Sequence, residues 1–353
     1  MVGSRYKSAY YNWDKISQRK EALRGQWPSE ARLIILDEFH KHRKWKSWLK
    51  GEFDTRQKQC SFMLTGSARL DAYRRGGDSL QGRYHHYRLH PFSLAELAGH
   101  RPTLKPPGEL RFAPSHDREA WNNLLKFGGF PEPFLRQSEK HARRWHHERL
   151  ERFFREDIRD LTQIQDLGNL LLLADLLPQK VSSVLSINSL AEDLQVNYRT
   201  VARWLDVFEY FYYCFRLAPY HARTISSVRK EKKLYLWDWS VHQDIGALFE
   251  NIVASHLLKF CHYLEDTEGW KVALYYLRDI TGHEVDFLVT CDNRPWFAVE
   301  AKAGVEKPHG PLKYFKERLK IPYCYQLVKD ATADRLEKGI RIMPAAQFLA
   351  ALV

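Results

Sequence analysis

The chain has no apolar run long enough to cross a bilayer. The longest, residues 170–177, is interrupted by Asp175 and stopped by Pro178. An apolar export core is missing too: residues 1–20 are polar and aromatic, so a cytoplasmic location is expected and no membrane partner. Cysteine is scarce. The five (Cys60, Cys214, Cys261, Cys291, Cys324) are odd in number and scattered, which fits neither a disulfide framework nor a zinc ribbon. Internal repeats and low-complexity tracts are also absent. Acidic residues are outnumbered, 43 Asp and Glu against 55 Lys and Arg, for a net charge of +12. That surplus is spread along the chain, which points to a polyanionic partner, nucleic acid foremost. With 44% hydrophobic and 14% aromatic residues a disordered chain is excluded, and 353 residues suit two or three domains.

Prolines and glycine at 102, 106, 107, 108 and 114 give the clearest punctuation. Before them, apolar runs at 32–36 and 61–64 predict buried strands of an α/β unit. After them, 121–127 predicts a short amphipathic helix ended by Gly128-Gly129. A helix over 140–161 follows, rich in charges of both signs, and then a buried helix over 167–177. Residues 189–208 change rhythm: Ser189 is a candidate N-cap, 195–197 a tight break, and Asn197 the cap of a second helix burying Val201, Leu205 and Phe208. A β-like aromatic run at 210–217, a basic segment at 223–233 and a strand at 234–237 complete the order of a winged helix. On its second helix Tyr198, Arg199 and Arg203 lie off the apolar face. With Arg229, Lys230, Lys232 and Lys233 of the basic wing they are the candidate DNA contacts, unless the unit serves only for protein packing. The last third predicts a helix at 245–260, strands at 271–278, 284–290 and 296–302, a helix at 312–320 and a strand at 323–328.

Two carboxylates, Asp37 and Glu38, stand at the carboxyl end of the strand at 32–36. In nucleotide hydrolases such a position lets the first acid hold a Mg²⁺–water shell and the second polarise the attacking water. A second strand ends in Thr65-Gly66-Ser67, with Gly82-Arg83 beyond it and Leu89-His90-Pro91-Phe92-Ser93-Leu94-Ala95-Glu96 further on. Together these segments resemble the AAA-type ATPases of bacteria and archaea, in the branch that carries a C-terminal domain of unknown function. Gly129-Phe130-Pro131-Glu132-Pro133 is similar to the opening of that C-terminal region. The resemblance implies that Asp37 and Glu38 are Walker B acids, Thr65 or Ser67 the sensor-1 group, and Arg83 an arginine finger. The family's G-x-x-x-x-G-K-[ST] loop, which cradles phosphates, does not occur. Residues 10–14 resemble the strand that follows that loop, so the chain is expected to start after it. ATP is then a cofactor only if such a loop is supplied upstream.

In the last domain, Asp286 lies within one strand and Glu300-Ala301-Lys302 ends the next. Residues two apart on a strand share a face, so Glu300 and Lys302 point the same way. If the strands are neighbours, Asp286 and Glu300 can bind one Mg²⁺ or Mn²⁺ through oxygen, with Lys302 orienting water or stabilising phosphorane-like charge. This resembles the PD-(D/E)XK nuclease core, and Glu250 occupies the place of the helix glutamate often found there. The histidine pairs 85–86 and 146–147 have no ligand partners at metal spacing, and His283 beside the acids reads as a surface residue.

The expected architecture is a multidomain α/β chain: a partial P-loop AAA-type α/β domain over 1–100, a linker and helical connector over 101–180, a winged helix over 181–240 and a nuclease-like α/β domain over 241–353. Two functions follow, and homo-oligomers are compatible with both. One is metal-dependent phosphodiester hydrolysis on DNA by Asp286, Glu300, Lys302 and Glu250. The other is an ATP-binding AAA-family protein whose nuclease-like domain is a non-catalytic DNA- or protein-docking module.

Overall fold

Short apolar segments separated by helix-forming stretches favour parallel pairing, because each strand returns through a crossover in the same sense as the last. The computed structural model describes residues 7–42, 44–56, 60–66, 82–100, 105–112, 117–154, 166–221, 231–304, 307–331 and 333–353. It divides into two compact units, Met1–His85 with Tyr210–Tyr212 and His86–Glu209 with Tyr213–Val353.

The first unit runs β1 (Ser8–Asn12), α1 (Ile16–Arg24), β2 (Leu33–Asp37), α2 (Trp45–Arg56) and β3 (Ser61–Leu64). Its strands are parallel in the order β1-β2-β3, with Asn12 opposite Asp37 and Leu36 opposite Leu64. Ile34 and Leu36 point into a core with Ala22, Phe39, Trp45 and Leu49. Helix α1 stops at Gly25, whose φ of 63° is left-handed and closes the last turn. The strand at 61–64 is not buried as its apolar run predicts: Ser61 and Met63 are exposed, and among the described residues β3 pairs only with β2. An edge strand covered on one face needs only alternate side chains inside.

The second unit begins with α3 (Leu94–Leu97), which a reciprocal Ser93–Glu96 capping box starts. Then come α4 (Arg118–Phe127), α5 (Pro131–Arg136), α6 (Glu139–Arg152) and α7 (Leu167–Leu176). The helix predicted over 140–161 is described only to Arg152 and its neighbours, because 155–165 lie outside the described residues. Next are α8 (Ile187–Asp193), α9 (Tyr198–Tyr210), β4 (Cys214–Leu217) and β5 (Lys233–Leu236). Ser186, not Ser189, caps α8: its Oγ accepts the Ser189 N–H at 3.2 Å. Asn197 does open α9, accepting the Arg199 N–H at 2.8 Å. The aromatic run at 210–217 is strand only from Cys214, since α9 extends through Tyr210 and Tyr212 takes a positive φ of 56°. β4 and β5 form an antiparallel pair.

The chain continues with α10 (Ile245–Glu268), β6 (Val272–Arg278), β7 (Glu284–Cys291), β8 (Arg294–Lys302), α11 (Gly310–Leu319), β9 (Tyr323–Val328), β10 (Arg335–Glu337), β11 (Ile340–Pro344) and α12 (Ala345–Leu349). The six strands β6–β11 make one mixed sheet in the order β10-β11-β9-β8-β7-β6. Its centre is near-continuously apolar, with Val285, Phe287, Leu288, Phe297, Ala298 and Val299 fully buried, as a sheet covered on both faces requires. The Pro91–Glu96 stretch, which the sequence groups with the first domain, belongs to the second unit and packs on α10. There Lys259 Nζ reaches the Pro91 carbonyl at 2.8 Å and also the Glu96 carboxylate.

Candidate functional site

The antiparallel register of β7 and β8 sets Phe287 opposite Val299, and this brings Asp286 and Glu300 together across the strands. The Asp286 N–H donates to Glu300 Oε2 at 3.2 Å, and the Ala301 N–H donates to Asp286 Oδ2 at 2.9 Å. Glu300 Oε1 lies 2.6 Å from Lys302 Nζ and 3.1 Å from His309 Nδ1. Glu250 reaches the same region from α10. Its Oε1 accepts from the Tyr235 hydroxyl at 2.7 Å. The structure thus gathers Asp286, Glu300, Lys302 and Glu250 around one end of the sheet.

It also places there a residue that the sequence assigned elsewhere. Lys233, expected on a solvated basic wing in contact with phosphates, is only 2% exposed. Its ammonium lies 2.6 Å from Glu284 Oε1, 3.2 Å from Glu250 Oε1 and 3.3 Å from Asp286 Oδ1. The reason is that Lys233 lies inside β5, every residue of which is buried. Lys233 and Tyr235 share one face of β5, both touch Glu250, and the neighbouring Lys232 is exposed.

Burial opposes the charge of Lys233, but Asp286, Glu250 and Glu284 outweigh it and raise its pKa. Burial and the facing Asp286 push Glu250 up to about 7 and Glu300 up to about 8. Lys233 opposes the first rise and Lys302 the second. Burial likewise opposes the charge on Lys302, and Glu300 more than restores it.

A hard divalent cation needs several carboxylate or carbonyl oxygens free to point at it. Here Asp286 and Glu300 turn their oxygens to main-chain N–H groups and to the ammonium groups of Lys233 and Lys302. Among the described residues no group of three or more His, Cys, Asp or Glu side chains is arranged to hold a metal. The residues present do not fit the Mg²⁺ or Mn²⁺ expected at Asp286 and Glu300. His283 stands apart, stacked on Tyr314 with centroids 4.4 Å apart and held 3.2 Å from Asp279.

In the first unit, Asp37 ends β2 and accepts from Thr65 Oγ1, from the Tyr10 hydroxyl at 2.5 Å and from Asn12 Nδ2 at 3.2 Å. Burial works to raise its pKa, but these hydrogen bonds, Thr65 first, leave it lowered. Glu38 takes a left-handed φ of 55° and lies 3.4 Å from Lys41. Burial raises its pKa against that lysine. Arg83 Nε is 3.5 Å from Asp54. Ser67, the other sensor candidate, lies outside the described residues, as do Arg229 and Lys230. Tyr198, Arg199 and Arg203 stand on the exposed face of α9, opposite the buried Val201, Trp204, Leu205 and Phe208.

Sequence reading did not single out Glu284, Tyr235, His309 or Asn251. The side chain of Asn251 accepts the Leu236 N–H and donates to the Leu236 carbonyl, both at 2.8 Å, and so fixes β5 against α10. A polar residue in the apolar stretch that follows Glu250 was the available signal.

Three family models match the chain, and the first runs past His85, where the first compact unit ends, to include Pro91–Glu96. Residues 3–98 match an AAA domain, 118–264 a domain of unknown function (DUF8612) and 245–348 another domain of unknown function (DUF4143). The first and last of these matches support an AAA-type family with a C-terminal domain of unknown function. The chain is 27% identical over 248 residues to an uncharacterized protein of Methanocaldococcus jannaschii, which covers 63% of this chain and 54% of that relative. The chain therefore spans about half the length of the curated relative it matches. No solved structure matches it. No described helix is long and apolar enough to cross a membrane.

Proposed function

We propose that this chain is an AAA-type ATPase-family protein whose C-terminal nuclease-like domain engages DNA without hydrolysing it. The observation that carries this reading is the occupancy of the Asp286 and Glu300 carboxylates by protein donors: two main-chain N–H groups and the ammonium groups of Lys233 and Lys302. The DNA side of the proposal rests on the net charge of +12 and on exposed Tyr198, Arg199, Arg203 and Lys232. Hydrolysis of ATP by this chain alone is not part of the proposal, since its 353 residues hold no G-x-x-x-x-G-K-[ST] string and the Asp37 carboxylate already accepts from Thr65, Tyr10 and Asn12.

A second reading, metal-dependent phosphodiester hydrolysis, is favoured by one observation: the cross-strand register joins Asp286, Glu300 and Lys302 in the order of a nuclease core. Incubating plasmid and single-stranded DNA with EDTA, Mg²⁺ or Mn²⁺, using wild type and Lys302→Ala, separates the two. The expected result is salt-sensitive DNA binding by both proteins and cutting by neither. Metal-dependent cutting that disappears in Lys302→Ala would replace the first reading with the second.

A further inference from the structure

We infer that Lys233 takes the place of the divalent cation that a nuclease-like carboxylate cluster implies, so that the wild-type cluster excludes metal. The inference rests on the non-hydrolytic reading above and names the residue behind it. An ammonium carries three N–H donors. At Lys233 three carboxylates surround that nitrogen, Glu284 at 2.6 Å, Glu250 at 3.2 Å and Asp286 at 3.3 Å. Carboxylate oxygens are the donors a hard divalent ion takes, and here the three are spaced about an ammonium instead. The ammonium and such an ion cannot share them.

The nitrogen is held in place on every side. Its remaining flank faces the Tyr276 ring at 5.7 Å, and Tyr276 is itself tied through its hydroxyl to the Glu231 carbonyl at 2.7 Å. β5 is clamped from α10 by Asn251 and braced on Val181 and Val184. Lys302 cannot substitute, because its ammonium belongs to Glu300, whereas Lys233 answers Glu250, Glu284 and Asp286.

The test is Mn²⁺ titration of the full chain, wild type against Lys233→Met, read by calorimetry and by thermal melting in Mn²⁺ or EDTA. Wild type is expected to take up no Mn²⁺ at this cluster and to melt at the same temperature in both buffers. Lys233→Met is expected to bind Mn²⁺ at least about tenfold more tightly than wild type, to melt higher in Mn²⁺ than in EDTA, and to lose both effects with Asp286→Asn added. Wild-type Mn²⁺ uptake abolished by Asp286→Asn overturns the inference, as does a folded Lys233→Met that binds none. If Lys233→Met does not fold in either buffer, the wild-type titration alone decides in the same way. DNA cutting by wild type would sink the proposed function. A metal-blind Lys233→Met beside an inert wild type sinks only the inference.

Discussion

His256 shows how much of this molecule is decided at a single ring. Its Nε2 accepts the Leu94 N–H at 3.1 Å, so its Nδ1 must carry the proton that reaches the Ile252 carbonyl at 2.7 Å. That pattern needs a neutral imidazole, and burial lowers its pKa to about 4. An unfolded histidine takes a proton near pH ~6.5. The stability this group contributes is therefore complete above that pH and is lost as pH falls towards 4. Melting temperatures across this range should slope downward with acid for wild type and less steeply for His256→Leu, which starts lower. Lys233→Met in EDTA should cost about 3–5 kcal/mol by urea denaturation, because it strands buried carboxylates without their counter-charge. The acids of the cluster were legible in the sequence: Glu300 and Lys302 are two apart on an apolar strand, and Asp286 lies on the preceding one. Lys233 was not. It ends a basic run, where a lysine reads as solvated, and only partners 17 and 53 residues away in the chain reveal its burial.

At the scale of elements, Asn251 does for β5 what a neighbouring strand would do, serving both the N–H and the carbonyl of Leu236. Asn251→Ala leaves both groups buried and unpaired, with an expected loss on the order of 2–4 kcal/mol, and would loosen the strand that carries Lys233. Equilibrium unfolding in urea checks the loss. Period-2 and period-3.6 patterns located the longer strands and helices of the second unit, because those segments are apolar and well punctuated. Their ends were less legible. The helix predicted to stop at 260 runs to Glu268, since Cys261 and Leu264 continue its buried face and only Gly269, at a φ of 73°, turns the chain. The strands β10 and β11 and the helices α3, α5 and α12 went unforeseen. β10 has three residues and β11 five, and the alternation of Ile340, Arg341 and Ile342 is too short to stand out from the sequence around it.

At the scale of the whole molecule, the net charge of +12 bears on the proposed DNA contact through its salt dependence. If α9 meets the backbone of DNA, Arg199→Ala and Arg203→Ala should each lower the slope of log affinity against log salt by about 1 and weaken binding across sequences alike. Unchanged slopes would remove α9 from the contact. The order of parts along the chain could be read from the sequence because it follows punctuation and motif. The assignment of Pro91–Glu96 to the second unit could not, because it depends on His256 and Lys259, more than 160 residues on. None of the five cysteines is in a disulfide. Cys214, Cys261, Cys291 and Cys324 are buried, while Cys60, at the start of β3, is half-buried. A thiol-reactive fluorophore added to the native protein should therefore label Cys60, the least buried of the five, first, and so place a spectroscopic reporter on the first unit without any engineered residue.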